Sequence, residues 1–212
     1  VGNAGQVILM ADTIIATDTI IQGETLGAGQ GADISLLASG ISLTESIIDS
    51  STLGPGAGGF IRLSGSTLLI DGSTLITETE GTGRGGTIFI AVDQMDILNQ
   101  GNLNGRSIGG SGDAGSISIA TRALNIDNGL ITLITTTSGS GGDLVIDTGT
   151  FRLNQSTLSA SANSDGNAGR IDITADAGTL LNNSVISSDT TGSGVGGDIL
   201  IEANLLGIFS EA

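Results

Sequence analysis

A glycine-rich phrase recurs eight times along the 212 residues, and its spacing constrains the fold more than any other feature of the chain. It appears first as Gly2-Asn-Ala-Gly-Gln-Val-Ile-Leu9. It returns at Gly29–Leu36, Gly56–Leu63, Gly83–Ile90, Gly112–Ile119, Ser138–Ile146, Gly166–Ile173 and Gly194–Ile201. Measured between the anchors Gly5, Ala32, Gly59, Gly86, Gly115, Gly142, Gly169 and Gly197, the steps are 27, 27, 27, 29, 27, 27 and 28 residues. Self-similarity at so regular a period is the mark of an array of stacked units.

Aligned on these anchors, the units share three apolar columns. Two and four residues past the anchor stand branched side chains, from Val7 and Leu9 through Ile61 and Leu63 to Ile199 and Ile201. That period of two belongs to a strand with one buried face. Eleven past the anchor come Ala16, Leu43, Ile70, Ile97, Ile126, Leu153, Leu180 and Ile208, with an apolar companion two places earlier in every unit but one, where Gly178 stands. A third column holds Ile21, Ile48, Leu75, Leu103, Ile131, Leu158 and Val185, displaced by one residue at Leu103. Three short strands per unit are expected, joined by turns rich in Gly, Ser, Asn and Asp.

A parallel β-helix accommodates such units best, because each strand then lies about 4.8 Å from its equivalent in the preceding turn and the apolar columns merge into one core. Eight turns would extend roughly 38 Å. Propeller blades need about 40 residues and four strands each, and leucine-rich repeats need a Leu-x-x-Leu-x-Leu pattern that is missing here. Residues 1–212 therefore read as one all-β solenoid segment of about eight turns of 27–29 residues. The chain is expected to be a section of a longer array. Its outermost turns, with apolar residues such as Val7, Leu9 and Ile14 at one end and Ile199, Ile201 and Ile208 at the other, are expected to pair end to end with other copies.

Glycine, at 36 residues, is placed at the corners, where positive φ or close backbone approach is required. The mean hydropathy is nonetheless positive, at +0.32, which excludes a flexible linker. Cysteine is absent, so disulfides and thiolate sites play no part. No apolar run approaches the roughly 20 residues of a membrane-spanning helix. Twenty-two acids face six arginines, with no lysine or histidine, for a net charge of −16. That balance excludes nucleic acid and anionic membranes as partners.

Enzymatic chemistry is not expected. Carbohydrate-processing sites combine clustered carboxylates with aromatic platforms. Here Trp and Tyr are absent, and Phe60, Phe89, Phe151 and Phe209 are scattered. The acid–base–acid row Asp143, Arg170 and Asp198 on successive turns reads as a charge-balanced ladder. The stretch Gly194–Ile199 resembles a calcium-binding nonapeptide, but that chemistry needs the motif in unbroken tandem. No catalytic, cofactor or metal residue is assigned, and loose calcium binding by the acidic outer faces is the one metal interaction left open. Two further columns read as stacking devices. Asp18, Glu45, Gly72, Asn99, Asn128, Gln155 and Asn182 form a corner suited to an amide ladder. Ile8, Phe89, Val145 and Leu200, with Phe60 nearby, face outward as a candidate packing patch. The two extra residues of the fourth turn are expected between Gln100 and Asp113, with Arg106 as the most exposed base.

The unit Gly-x-Ala/Gly-Gly-x-Ile-x-Ile, followed by a Leu-x-Ile strand and by Asp71-Gly-Ser-Thr-Leu-Ile76 or Asn154-Gln-Ser-Thr-Leu-Ser159, resembles the repeats of filamentous-haemagglutinin-type exoproteins over the whole chain. The resemblance implies a right-handed parallel β-helix, exported by a two-partner secretion system of a Gram-negative bacterium and serving at the cell surface or in the extracellular matrix as adhesin or fibre. Its implied partners are other copies of the chain and a host or cell-surface receptor that no motif identifies. A surface-layer or sheath component that self-associates laterally is the alternative. A polysaccharide-processing β-helix enzyme is the third reading.

Overall fold

The computed structural model describes residues 2–210 as a β-solenoid in which every strand pairs in parallel with its equivalent one coil away. No helix occurs among the described residues. One sheet takes the first strand of each coil in chain order, Gln6–Met10, Asp33–Leu37, Phe60–Asp71, Thr87–Leu98, Ser116–Asp127, Leu144–Asn154, Ile171–Leu181 and Ile199–Phe209. A second, seven-stranded sheet runs from Ile20–Gln22 to Val185–Ser187, each of its strands three residues long.

Register is strict, and it stacks like on like. Ile34, Ile61, Ile88, Ile117, Leu144 and Ile171 are successive partners, each essentially sealed from solvent. Each such side chain contributes roughly 1.5–3 kcal/mol by burial. The gap that Gly178 leaves in the companion column is filled from the coil before. Phe151 is its register partner, and a Cβ on Gly178 would collide with the Phe151 ring.

The three strands expected per coil occur only in the first two coils, where Thr13–Thr17 and Gly40–Thr44 stand apart. From Phe60 onward the first two merge into one strand of 11 or 12 residues. The reason lies in the rungs. Gly65 pairs with Val92 and Thr67 with Gln94, so the ladder omits only the pair Ser66 and Asp93 at the bend. Between Thr87–Leu98 and Ser116–Asp127 two rungs are missing, from Ala91 and Ala120 to Gln94 and Ala123, and the strands bend there without ending. There are accordingly two sheets where the periodicity suggested three.

Two corners close each coil, by different means. Between the long and short strands the chain passes through Asp18, Glu45, Gly72, Asn128 or Gln155, all with φ between 48° and 58°. These residues share the left-handed backbone, and amides at the doubled corners also bond along the stack, Asn99 Nδ2 donating to Asp71 Oδ1 at 2.6 Å and Asn182 Nδ2 to Asn154 Oδ1 at 3.0 Å. A second side-chain ladder follows at the next residue. Ser46 Oγ accepts the Thr19 N–H at 3.1 Å, Ser73 Oγ accepts that of Ser46 at 2.9 Å, and Ser156 Oγ that of Gly129 at 3.2 Å. Ser156 Oγ in turn donates to the Asn154 carbonyl at 2.6 Å.

The return corner is packed backbone against backbone. At Gly29, Gly56, Gly83, Gly112, Gly139, Gly166 and Gly194 an added Cβ would overlap the carbonyl oxygen of the equivalent glycine one coil earlier, and none of these residues has a left-handed φ. Close approach, not conformational freedom, sets this column. Beside it runs a column of parallel bridges, Thr25, Thr52, Thr79, Ser107, Thr135, Ala162 and Thr190, buried at every member but the last. Thr79 Oγ1 donates to the Gly56 carbonyl at 3.0 Å, and Thr190 Oγ1 to the Gly166 carbonyl at 3.0 Å.

The extra residues of the fourth coil enter singly. One doubles the left-handed corner as Asn99 and Gln100, with φ of 51° and 68°, since Leu98 pairs with Asp71 but Asn102 with Thr74. The other is Gly109, with φ of 89°, after Ser107 has bridged Thr79. The 28-residue step uses the first device again, at Asn182 and Asn183.

Candidate interaction surface

With the inward columns buried, function falls to the outer faces. The bend of the long strands carries a polar row, Ser66, Asp93, Arg122, Gly149, Asp176 and Asn204, one residue per coil. Arg122 Nε lies 3.1 Å from Asp93, and Asn204 Nδ2 donates to Asp176 at 3.4 Å. Gly149 adds no side chain to the row, and an open groove lies there, flanked by Arg122, Asp147, Asp176 and Glu202. The periodicity hid this row, because its residues share polarity but not type. Carboxylates one coil apart along a groove line it with negative charge without converging on a point. Among the described residues no three acids are grouped so as to hold a metal ion.

The row Asp143, Arg170 and Asp198 is not a simple ion ladder. Arg170, just before the strand Ile171–Leu181, turns its guanidinium to Asp172 within it, at 2.8 Å, while its backbone N–H donates to Asp143 Oδ1 at 3.1 Å. A carboxylate two residues along the chain is as near as one on the next coil. Arg106, expected to be the most exposed base, is 40% exposed and pairs with Glu78 at 2.7 Å, whereas Arg122 is 85% exposed. Burial pushes the Glu78 carboxyl above its ordinary range, and the Arg106 guanidinium draws it partly back. The remaining arginines are engaged as well: Arg152 with Asp127 at 3.5 Å, Arg84 with the Ala114 carbonyl at 3.3 Å, and Arg62 stacked on the Phe89 ring at 5.1 Å.

The outward apolar residues of the long sheet do not form a patch. In register order their column reads Ile8, Ser35, Arg62, Phe89, Ser118, Val145, Asp172 and Leu200, so polar residues interrupt it. The short-strand sheet differs. Its outward column reads Ile20, Ile47, Thr74, Asn102, Leu130, Thr157 and Val185, in strict register and without a charge. Between Ala28 and Gly194 five large apolar side chains are exposed: Ile47, Leu53, Leu130, Val145 and Val185. Three of the five stand in this one column. The signal was present in the sequence, one residue before the third apolar column, but a three-residue strand gives alternation too little length to assign faces.

No family model, curated protein or solved structure matches the chain.

Proposed function

We propose that this chain is a shaft segment of a secreted cell-surface adhesin or fibre of the filamentous-haemagglutinin type, acting by extension and display and not by catalysis. The observation that supports the reading is the unbroken register of backbone ladders through all the coils. Each coil bonds to its neighbours alone, and length is therefore the property that repetition adds. The outer surface supports the same reading: its arginines are spent on local partners and its carboxylates are strung along the coils. A net charge of −16 suits an exposed, solvated rod and turns away polyanions.

The test is made on intact cells that express the full-length protein. An antibody raised against residues 1–212 is expected to label unpermeabilised cells, the label is expected to disappear after brief external protease, and cells lacking the gene are expected to lose adhesion to surfaces or to one another. Labelling that requires lysis would contradict the reading. Turnover of a polysaccharide by the purified chain, abolished by Asp176→Asn, would replace it with an enzymatic one.

A further inference from the structure

We infer that two copies of this chain pair side by side through the outer faces of their short-strand sheets. The inference rests on the shaft reading for its purpose but not for its test. Charge distribution selects both the face and the occupant. The seven short strands contain one ionisable residue, Asp49, whereas the long-strand sheet carries Asp33, Arg62, Asp96, Asp147, Asp172 and Glu202 among others. Two copies of a chain with net charge −16 repel wherever their long sheets meet. A cationic partner would be drawn to those same long sheets. The short-strand face is the side on which like-charged rods approach with the smallest penalty, with Asp49 on it and Glu24 and Glu78 just past its strands, and it gathers three of the five large apolar residues exposed between Ala28 and Gly194, Val185 on its last strand.

The geometry agrees with pairing of ladder on ladder. The column is in register and rich in branched side chains, with Ile47, Leu130 and Val185 at 37%, 36% and 47% exposure. Two such faces can pack as sheets about 10 Å apart. Seven strands of three residues offer roughly 300 Å² a side, from strand spacing and rise. A stable interface needs about 800 Å² per partner, or roughly 17 coils of this width. One segment therefore pairs transiently, while a long rod pairs firmly, since the contact grows with each coil.

The absence of native cysteine makes trapping selective. Ile47→Cys, Leu130→Cys and Val185→Cys are made as single variants and pooled, because identical ladders can meet in registers that differ by whole coils. The control pool is Ile8→Cys, Val145→Cys and Leu200→Cys, of matching exposure on the long sheet at 55%, 44% and 42%. Under mild oxidation in moderate salt the short-face pool is expected to form disulfide-linked dimers at least ~10-fold faster, since screening weakens but does not erase repulsion between long sheets. Adding Thr74→Asp and Thr157→Asp to each member should reduce it to the control rate. Equal rates in the two pools, or insensitivity to the added charges, would overturn the inference. Surface labelling of cells without selective cross-linking would sink the pairing and leave the shaft reading standing. Selective cross-linking of a protein absent from the cell surface would do the reverse.

Discussion

At the corner after each long strand the chain turns through one left-handed residue, and at the corner that returns to the next coil it lays glycine upon glycine. The first corner is closed by conformation and the second by contact. In the first, the left-handed backbone is the shared requirement, so Asp18, Glu45, Asn128 and Gln155 interchange, and a second left-handed residue is absorbed at Asn99–Gln100 and Asn182–Asn183. In the second, the space a Cβ would fill is already held by a carbonyl of the coil before. One corner is permissive to residue type and to length. The other is permissive to neither along its glycine column, and the single residue added near it, Gly109, lies just before that column.

The largest expected effect follows directly. Gly83→Ala puts a methyl group against the Gly56 carbonyl, a backbone atom that cannot rotate away, and should cost about 3 kcal/mol. Chemical denaturation of the variant measures it, and a loss below a few tenths would erase the distinction between the corners. Next is Ser156→Ala, which strips the Gly129 N–H of its acceptor inside the stack and should cost about 2 kcal/mol. At the left-handed corner itself, Asn128→Ala is expected to cost about 1 kcal/mol, with Asn128→Gly close to neutral. Equal losses for the two Asn128 variants would mean that the side chain, not the backbone, holds that corner.

The smallest effect concerns the approach to the glycine corner, where Glu78 meets Arg106. Because burial raises the folded-state pKa of Glu78, the folded chain binds its proton more readily than the unfolded chain. This residue therefore favours folding at acid pH, and its contribution is lost as pH rises through the folded pKa, above the ordinary value of 4.5. Asp165 has the opposite sign, since hydrogen bonds from the Ser193 N–H and hydroxyl lower its pKa, and its effect lies below 3.8. Between pH 7 and pH 5 the Glu78→Gln variant should thus gain less thermal stability than the parent, by under about 1 kcal/mol, since the Arg106 partner is partly solvated. Thermal melts of both proteins at the two pH values decide it.

The contrast between the corners also explains what could be read in advance. Period, parallel stacking and the inward columns were legible, because burial selects a residue class at each position and Ile61, Ile88 and Ile117 repeat it. Glycine was legible as a corner residue, but its cause was not, since close approach and positive φ leave the same letter. The corner column was legible only in part: Asn99 and Asn182 do bond along the stack as amides, but the common requirement is the left-handed backbone, of which Asp18, Glu45 and Gly72 in the same column are the sign. The fused long strand was hidden because its bend omits only one or two rungs and has no turn motif. The threonine bridges stood in plain view at Thr25, Thr52, Thr79 and Thr135, yet a single residue between loops carries no periodicity to assign it. The charge-poor outer column of the short strands was lost for the same reason of length.

Removal of one whole coil tests the central claim most directly, because an array whose units bond to their neighbours alone has no privileged member. Deleting residues 115–141 joins Ala114 to Gly142 and sets Ile88 against Leu144 and Leu103 against Leu158, like on like. Small-angle scattering with circular dichroism is expected to show an intact strand signal and a rod shorter by about 5 Å, one strand spacing. Loss of the strand signal, or a maximum dimension that does not change, would contradict the account.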